Sequence, residues 1–194
     1  MRKTFWYIRE YKGVVFWTII LLALTGALQY YGFHRTLLGP DGHFAWWSGD
    51  INSNENSQRF ADAYSFSHII HGLIFYMLLW IFARKVDVKK RFLIALVLEI
   101  AWELFENSSF IINRYREGTI AQGYFGDSVL NSLSDCLMMI FGFLFARMSK
   151  FWTSFVLFVL LEVGCLFWIR DNLTLNVIML VHPVQSIRDW QSKK

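Results

Sequence analysis

The residues best suited to chemistry are histidines, carboxylates and amides that lie within three otherwise apolar stretches of the chain. An ionisable group in hydrocarbon costs about 2.5–3.5 kcal/mol, so such groups usually face a cavity or one another. They therefore mark the region in which we expect this protein to act. In chain order they are His68, His71, Glu99, Glu103, Glu106, Asp127, Asn131 and Asp135.

Acid–base catalysis is the first chemistry that these residue types allow. Two acids one helical turn apart in an apolar segment need a proton, a cation or a basic partner. Glu103 or Glu106 is the predicted general base, and His68 or His71 is the predicted proton partner. Asp135 completes the predicted catalytic group.

A divalent metal is the alternative use of the same five side chains. Imidazole nitrogens and carboxylate oxygens are ligands suited to Zn, Mn or Fe. The sequence has neither the Glu-x-x-His arrangement of di-iron bundles nor the His-Glu-x-x-His of zinc proteases. The candidate metal ligands are His68, His71, Glu103, Glu106 and Asp135.

Five further residues are candidates for binding a substrate. The guanidinium groups of Arg114 and Arg116 suit phosphate or carboxylate, which beside a membrane suggests a lipid head group. Salt bridging to nearby acids is the alternative for both arginines. Asn107, Asp127 and Asn131 would also contact the substrate. Alternatively, Asp127 caps a helix and the two asparagines hydrogen-bond helices together.

The elements that must position these residues are transmembrane helices. Of 194 residues, 55% are hydrophobic and 19% are aromatic. They form blocks of about 20 residues, the length that crosses about 30 Å of hydrocarbon. No alternating β-barrel pattern appears, so we predict one all-α integral membrane domain over residues 1–194. The predicted spans are about 14–31, 66–83, 92–112, 128–147 and 152–169.

Two segments lie outside these spans. Residues 32–65 form a long loop rich in turn formers, in which Trp46 and Trp47 fit an interfacial anchor better than a ligand site. The tail is apolar only from about Leu173 to Val181. That length predicts a short interfacial or re-entrant helix.

Depth and facing bring the polar residues together. At about 1.5 Å per residue, those of the second, third and fourth spans lie roughly 4–14 Å from the outer ends of their helices. Spacings of three and four place each set on one helix face. We therefore expect an outward-facing polar cavity. Glu99 and Glu162 fall nearer the bilayer centre, and we expect them to form a separate proton-sharing pair.

Orientation follows from basic residues in short loops. They cluster before the first span, in residues 84–91 and in residues 147–150. The positive-inside rule predicts a cytoplasmic N-terminus and a periplasmic C-terminus in a bacterial inner membrane. The net charge of +4 is explained in this way and indicates no nucleic-acid partner. Cys136 and Cys165 match no metal motif and are expected to be free core thiols.

A resemblance covers most of residues 65–191. It rests on SHIIHGLIFY, AWELFENSSFIINRYREGTIAQGYFGDSVLNSLSD and TLNVIMLVHPVQSIRDWQ. These stretches resemble a family of uncharacterised bacterial multi-pass inner-membrane proteins, described as a domain of unknown function. The Asp-Ser-x-x-Asn-x-x-x-Asp helix is also distantly similar to VanZ-like membrane proteins. The first resemblance implies a multi-pass inner-membrane location and assigns no activity.

Three classes of function fit the sequence. The leading hypothesis is a membrane-embedded enzyme that acts on a lipid or lipid-linked substrate at the outer leaflet. A proton- or cation-coupled carrier would use Glu99 and Glu162 to continue the path across the bilayer. In a non-enzymatic accessory or assembly protein, the polar residues would only hold the helices together.

Overall fold

Most of the described residues are helical. The computed structural model describes the backbone of residues 2–193 and the side chains of residues 11–193. A π-helical turn, Leu28–Gly32, continues the first helix. The remaining elements are α1 (Arg2–Ala27), β1 (Trp47–Ser48), β2 (Ala61–Asp62), α2 (Ser65–Phe82), α3 (Val88–Glu106), α4 (Ser109–Gly118), α5 (Val129–Met148), α6 (Phe151–Ile169), α7 (Leu173–Val181) and α8 (Gln185–Gln191).

Four predicted spans coincide with membrane-length helices. Within the described residues, four helical segments are long and apolar enough to cross a membrane: Tyr11–Gly32, α2, α5 and α6. The predicted bounds of the last three agree with the structure to within one residue. The first helix begins earlier than predicted. The all-helical class is therefore confirmed, together with four segments able to span.

The third predicted span, 92–112, is wrong at its C-terminal end, and the helix found there is not among the four segments able to cross a membrane in the described residues. Helix α3 ends at Glu106, and Asn107 follows it in a non-helical conformation. Ser108 then caps α4 by accepting a hydrogen bond from the Ile111 N–H. An Asn-Ser pair is a helix-boundary signal, but the apolar residues after it continued the hydropathy pattern.

Helices α2 and α5 cross in direct backbone contact. A Cβ atom added to Gly72 would lie 2.1 Å from the Met139 carbonyl oxygen, and one on Gly142 would lie 2.1 Å from that of Ile69. Only glycine permits this approach. Towards the basic loops, an apolar core of Ala95, Leu96, Cys136, Met139 and Phe143 fills the space between α3 and α5.

The loop between α1 and α2 covers the start of α5. β1 and β2 pair in parallel, with Trp47 opposite Ala61. Backbone N–H groups at the start of α5 donate hydrogen bonds to this loop. The Ser128 N–H donates to the Ser57 carbonyl, and the Val129 N–H donates to the Thr36 carbonyl. The loop thereby satisfies groups that every helix start leaves unpaired.

The tail folds back onto the bundle. Arg170 ends α6 in the left-handed conformation. Glu162 of α6 accepts hydrogen bonds from the Leu173 N–H at 3.0 Å and from the Thr174 hydroxyl. Helix α7 therefore begins beside Glu162, and its bounds match the apolar stretch from which a short helix was predicted.

Candidate functional site

His68 and His71 of α2 share one carboxylate of α3. His68 Nδ1 lies 2.6 Å from Glu99 Oε1, and His71 Nδ1 lies 3.0 Å from Glu99 Oε2. Glu99 is fully buried and His68 is nearly so. Both oxygens of Glu99 are thus engaged by imidazoles, which orients the two rings.

Asp135 of α5 faces His68 from the opposite side. Its Oδ2 lies 3.8 Å from His68 Nε2, which is beyond hydrogen-bond distance. Its Oδ1 accepts a hydrogen bond from the Ser65 hydroxyl at 2.9 Å. Asp62 in turn accepts from the backbone N–H groups of Tyr64 and Ser65, so it holds the start of α2 in place. Burial raises the pKa of the Asp62 carboxyl above its ordinary value.

The other two glutamates of α3 differ in their surroundings. No hydrogen bond reaches either carboxylate oxygen of Glu103 in the described part of the chain, although the residue is 0% exposed. Its Oε1 lies 3.3 Å from His68 Nδ1. Glu106 lies 3.0 Å from the Tyr115 hydroxyl, which also lies 2.9 Å from Asn176 Oδ1 on α7.

Asn107 and Asp127 form a two-point contact between the end of α3 and the start of α5. Asn107 Nδ2 donates to Asp127 Oδ2 at 2.7 Å, and the Asp127 N–H donates to Asn107 Oδ1 at 2.8 Å. Tyr124 donates to Asp127 Oδ1 at 2.9 Å. Burial raises the pKa of Asp127, and the bonds from Asn107 and Tyr124 offset part of that rise. Ser128, not Asp127, caps α5, so the capping alternative for Asp127 is wrong.

These side chains surround a cavity of about 60 Å³. That volume is large enough for an ion with a water molecule, or for one small group of a larger molecule. His68, His71, Glu106, Asp127, Asn131 and Asp135 all line it, together with Tyr64, Tyr115 and Tyr124. Asn131 also donates to the Arg59 carbonyl at 3.0 Å, which ties α5 to the loop. Six of the eight polar residues singled out in the sequence therefore line one cavity, while Glu99 and Glu103 do not line it but contact His68.

The two predicted phosphate-binding arginines lie elsewhere. Arg114 donates to the carbonyl oxygens of Leu180 at 2.7 Å and Val181 at 3.0 Å, where it caps the end of α7. Arg116 donates to the Tyr124 carbonyl at 2.5 Å. Neither guanidinium lines the cavity. Their predicted substrate-binding role stays a prediction, and these contacts give each a structural role.

The expected pair of Glu99 with Glu162 is wrong. Glu99 binds the two histidines, whereas Glu162 holds the start of α7. The prediction failed because α3 ends at Glu106, whereas the predicted span continued to residue 112. Glu99 lies seven residues from that end, or about 10 Å, which is the depth of His71 in α2. The spacing of Glu99, Glu103 and Glu106 already places all three on one helix face.

Several cavity residues gave no signal in the sequence. Tyr64, Tyr115, Tyr124 and Asn176 come from four separate segments and meet only through the fold. Asp62 is different, because an aspartate shortly before an apolar helical stretch is a helix-start signal.

The fold and the site define an all-helical protein built around a buried histidine–carboxylate cluster, with four helices of membrane-spanning length in the described residues. A family model described as a protein of unknown function (DUF2585) matches residues 30–193, so the chain belongs to that family. A UPF0314 protein of Sphingopyxis alaskensis is 50% identical over 173 residues, which are 89% of this chain and 91% of that protein. A UPF0314 protein of Paracoccus denitrificans is 42% identical over 181 residues, 93% and 94% of the two chains.

The expected membership in an uncharacterised bacterial family is therefore confirmed. No solved structure matches this chain.

Proposed function

We propose that this protein is a membrane-embedded enzyme that acts on a lipid or lipid-linked substrate at the outer leaflet of the bacterial inner membrane. One observation carries the proposal: His68 lies at the cavity, with Glu99 2.6 Å from one ring nitrogen and Asp135 3.8 Å from the other. An imidazole between two carboxylates can accept a proton from a bound group and return it.

The roles follow from position. His68 is the proton-transferring group, and Glu99 orients its ring as the carboxylate of a catalytic triad does. Asp135 and Glu106 reach the cavity itself, where a reacting group would lie. Asn131 and Tyr124 offer an amide and a hydroxyl for binding it.

A lipid substrate fits the location of the cavity. His68 and His71 lie in the first two turns of α2, and Asp135 lies in the second turn of α5. Both helices are of membrane-spanning length, so the cavity lies just inside one face of the bilayer. Acyl chains in the leaflet would remain in hydrocarbon while the head group enters. The proposed orientation places this face in the periplasm.

A carrier has less support. Its path would need polar groups beyond Glu99, but the apolar core of Ala95, Leu96, Met139 and Phe143 lies there. Glu162, which the carrier hypothesis also used, is bonded to α7. The accessory or assembly function remains the rival that the experiment must separate. The resemblance to VanZ-like proteins stays a prediction and contributes nothing to the proposal.

The test is a lipid profile of cells that lack the protein. We expect one lipid or lipid-linked species to accumulate in the deletion strain and to return to normal with the wild-type gene. His68→Gln, which keeps polarity and approximate size but cannot be protonated, should fail to restore the profile.

A matched control separates chemistry from folding. His182 is exposed and does not line the cavity, so His182→Gln should restore the profile fully. An unaltered lipid profile in the deletion strain would contradict the enzyme hypothesis. Full rescue by folded His68→Gln would favour the accessory function instead.

A further inference from the structure

The cavity has an excess of carboxyl groups. Among the residues that the structure describes, its lining contains no lysine or arginine. His68 and His71 are the only basic side chains among the described residues that line the cavity. Two further carboxyl groups, Glu99 and Glu103, contact His68. The carboxyl groups that line the cavity directly are Asp62, Glu106, Asp127, Asp135 and Asp171.

Buried carboxylates are stable only when protonated, paired or bound to a cation. Hydrogen bonds satisfy several of them: Glu99 has its histidines, Asp127 has Asn107 and Tyr124, and Asp62 has backbone amides. Glu103 has the weakest support. Neither of its buried oxygens has a hydrogen-bond partner in the described residues, and the His68 nitrogen that lies 3.3 Å from it is already bound by Glu99 at 2.6 Å.

Among the side chains that the structure describes, two sets have the spacing of metal ligands, and both include His68. In one, His68, His71 and Glu99 have ligand atoms within 4.8 Å of one another. These donors already bind each other at 2.6 and 3.0 Å, so that set is complete without an ion. The other set is His68, Glu103 and Glu106, also within 4.8 Å, and it contains the unsatisfied carboxylate.

We infer that His68, Glu103 and Glu106 bind one divalent transition-metal ion beside the cavity, which His68 and Glu106 line. One nitrogen and carboxylate oxygens suit Zn²⁺, Mn²⁺ or Fe²⁺. Glu99 binds Nδ1 of His68 and so leaves Nε2 of that ring for the ion, as outer carboxylates do for metal-bound histidines. The 60 Å³ cavity leaves room for water or a substrate oxygen at an open coordination position. The inference rests on the proposed function and deepens it: the ion would supply a Lewis acid at the same site, His68 would then be a ligand, and proton transfer would fall to Asp135, which lines the cavity.

The experiment measures metal directly. Full-length protein is purified in detergent without chelator and analysed by elemental mass spectrometry, then stripped and titrated with Zn²⁺, Mn²⁺ and Fe²⁺. We expect about one ion per chain, with affinity at least tenfold weaker in Glu103→Gln and in Glu106→Gln. Glu162→Gln is the matched control, because it alters a buried carboxylate away from the cavity and should bind metal normally.

Two results would overturn the inference. One is folded wild-type protein with less than about 0.1 ion per chain and no saturable binding on titration. The other is unchanged affinity in both folded cavity variants. If one variant fails to fold, the wild type and the second variant still decide the matter.

The metal readout does not depend on activity. Absence of metal together with a lipid change that requires His68 overturns the ion and leaves a metal-free acid–base enzyme. Stoichiometric metal without any lipid change supports the ion and removes the proposed substrate class.

Discussion

His68 is the residue at which most of the polar contacts converge. Glu99 binds it at 2.6 Å, Glu103 lies 3.3 Å away, and Asp135 faces its second nitrogen at 3.8 Å. Three carboxylates around one buried imidazole create a strongly negative local environment. Such clusters of titratable groups are typical of functional sites, although structural networks also produce them.

Replacement of Asn107 should destabilise the protein. Asn107→Ala would leave the Asp127 carboxylate without its donor at 2.7 Å and the Asp127 N–H without its acceptor at 2.8 Å. Each unsatisfied buried group costs roughly 1–3 kcal/mol. We expect a clear fall in the unfolding midpoint in detergent. Asn54→Ala, at an exposed loop position, should leave it unchanged; equal midpoints for the two variants would contradict this view.

Asp171 should make stability depend on pH. Burial raises its pKa to about 6, so the folded state keeps a proton that the unfolded chain loses near pH 4. Its contribution to stability therefore falls as pH rises from about 4 to 6, by roughly 2–3 kcal/mol.

Asp171→Asn removes this dependence. We expect the difference in unfolding free energy between variant and wild type to increase over that interval and then level off. Parallel pH curves for the two proteins would show that the Asp171 carboxyl ionises equally easily in both states.

At the level of elements, two features of the helices form the site: the α2–α5 crossing and the position at which α3 ends. The close crossing of α2 and α5 brings His68 opposite Asp135, and the early end of α3 raises Glu99 to the depth of His71. We therefore expect the crossing to control both stability and the geometry of the site.

Gly72→Ala tests the crossing. Its new methyl group would lie 2.1 Å from the Met139 carbonyl oxygen, so the helices must separate. Overpacking of this kind costs about 1–3 kcal/mol or more. We expect a lower unfolding midpoint and loss of the ability to restore the lipid profile.

Gly164→Ala on α6 is the control for that experiment. Nothing lies within 4 Å of its added Cβ, and alanine favours helix over glycine by about 1 kcal/mol. The control should be unchanged or slightly more stable. A Gly72→Ala protein as stable as this control would mean that the crossing adapts without cost.

At the scale of the whole molecule, the two ends differ in character. The polar cavity and its covering loop lie at one end of the helices. The short connections at the other end contain the basic residues of segments 84–91 and 147–150. This asymmetry is the physical basis of the proposed orientation, with the cavity facing the periplasm.

Cysteine labelling in intact cells tests the orientation. Asn54→Cys in the exposed loop should react with a membrane-impermeant maleimide, whereas Lys85→Cys should react only after the cells are opened. Native Cys136 and Cys165 are free but buried, so they should contribute little background. The reverse labelling pattern would invert the proposed topology and place the cavity at the cytoplasmic face.

Much of the fold was predictable from local patterns. The bounds of α2, α5 and α6 follow from apolar blocks of the length that a bilayer requires. The positions of His68 in α2 and of Asp135 in α5 follow from counting residues. The end of α3 was missed because Phe110, Ile111 and Ile112 continue the apolar pattern past the Asn-Ser boundary.

The composition and spacing of this sequence determined an all-helical protein with polar residues at one end of three helices. These properties depend on neighbours along the chain, namely hydropathy and helical periodicity. Only the tertiary structure decided that Glu99 pairs with the two histidines, that Glu162 belongs to α7 and that Arg114 and Arg116 lie outside the cavity. Those outcomes depend on how far each helix extends and how closely α2 approaches α5, and both are set by contacts between residues distant in sequence.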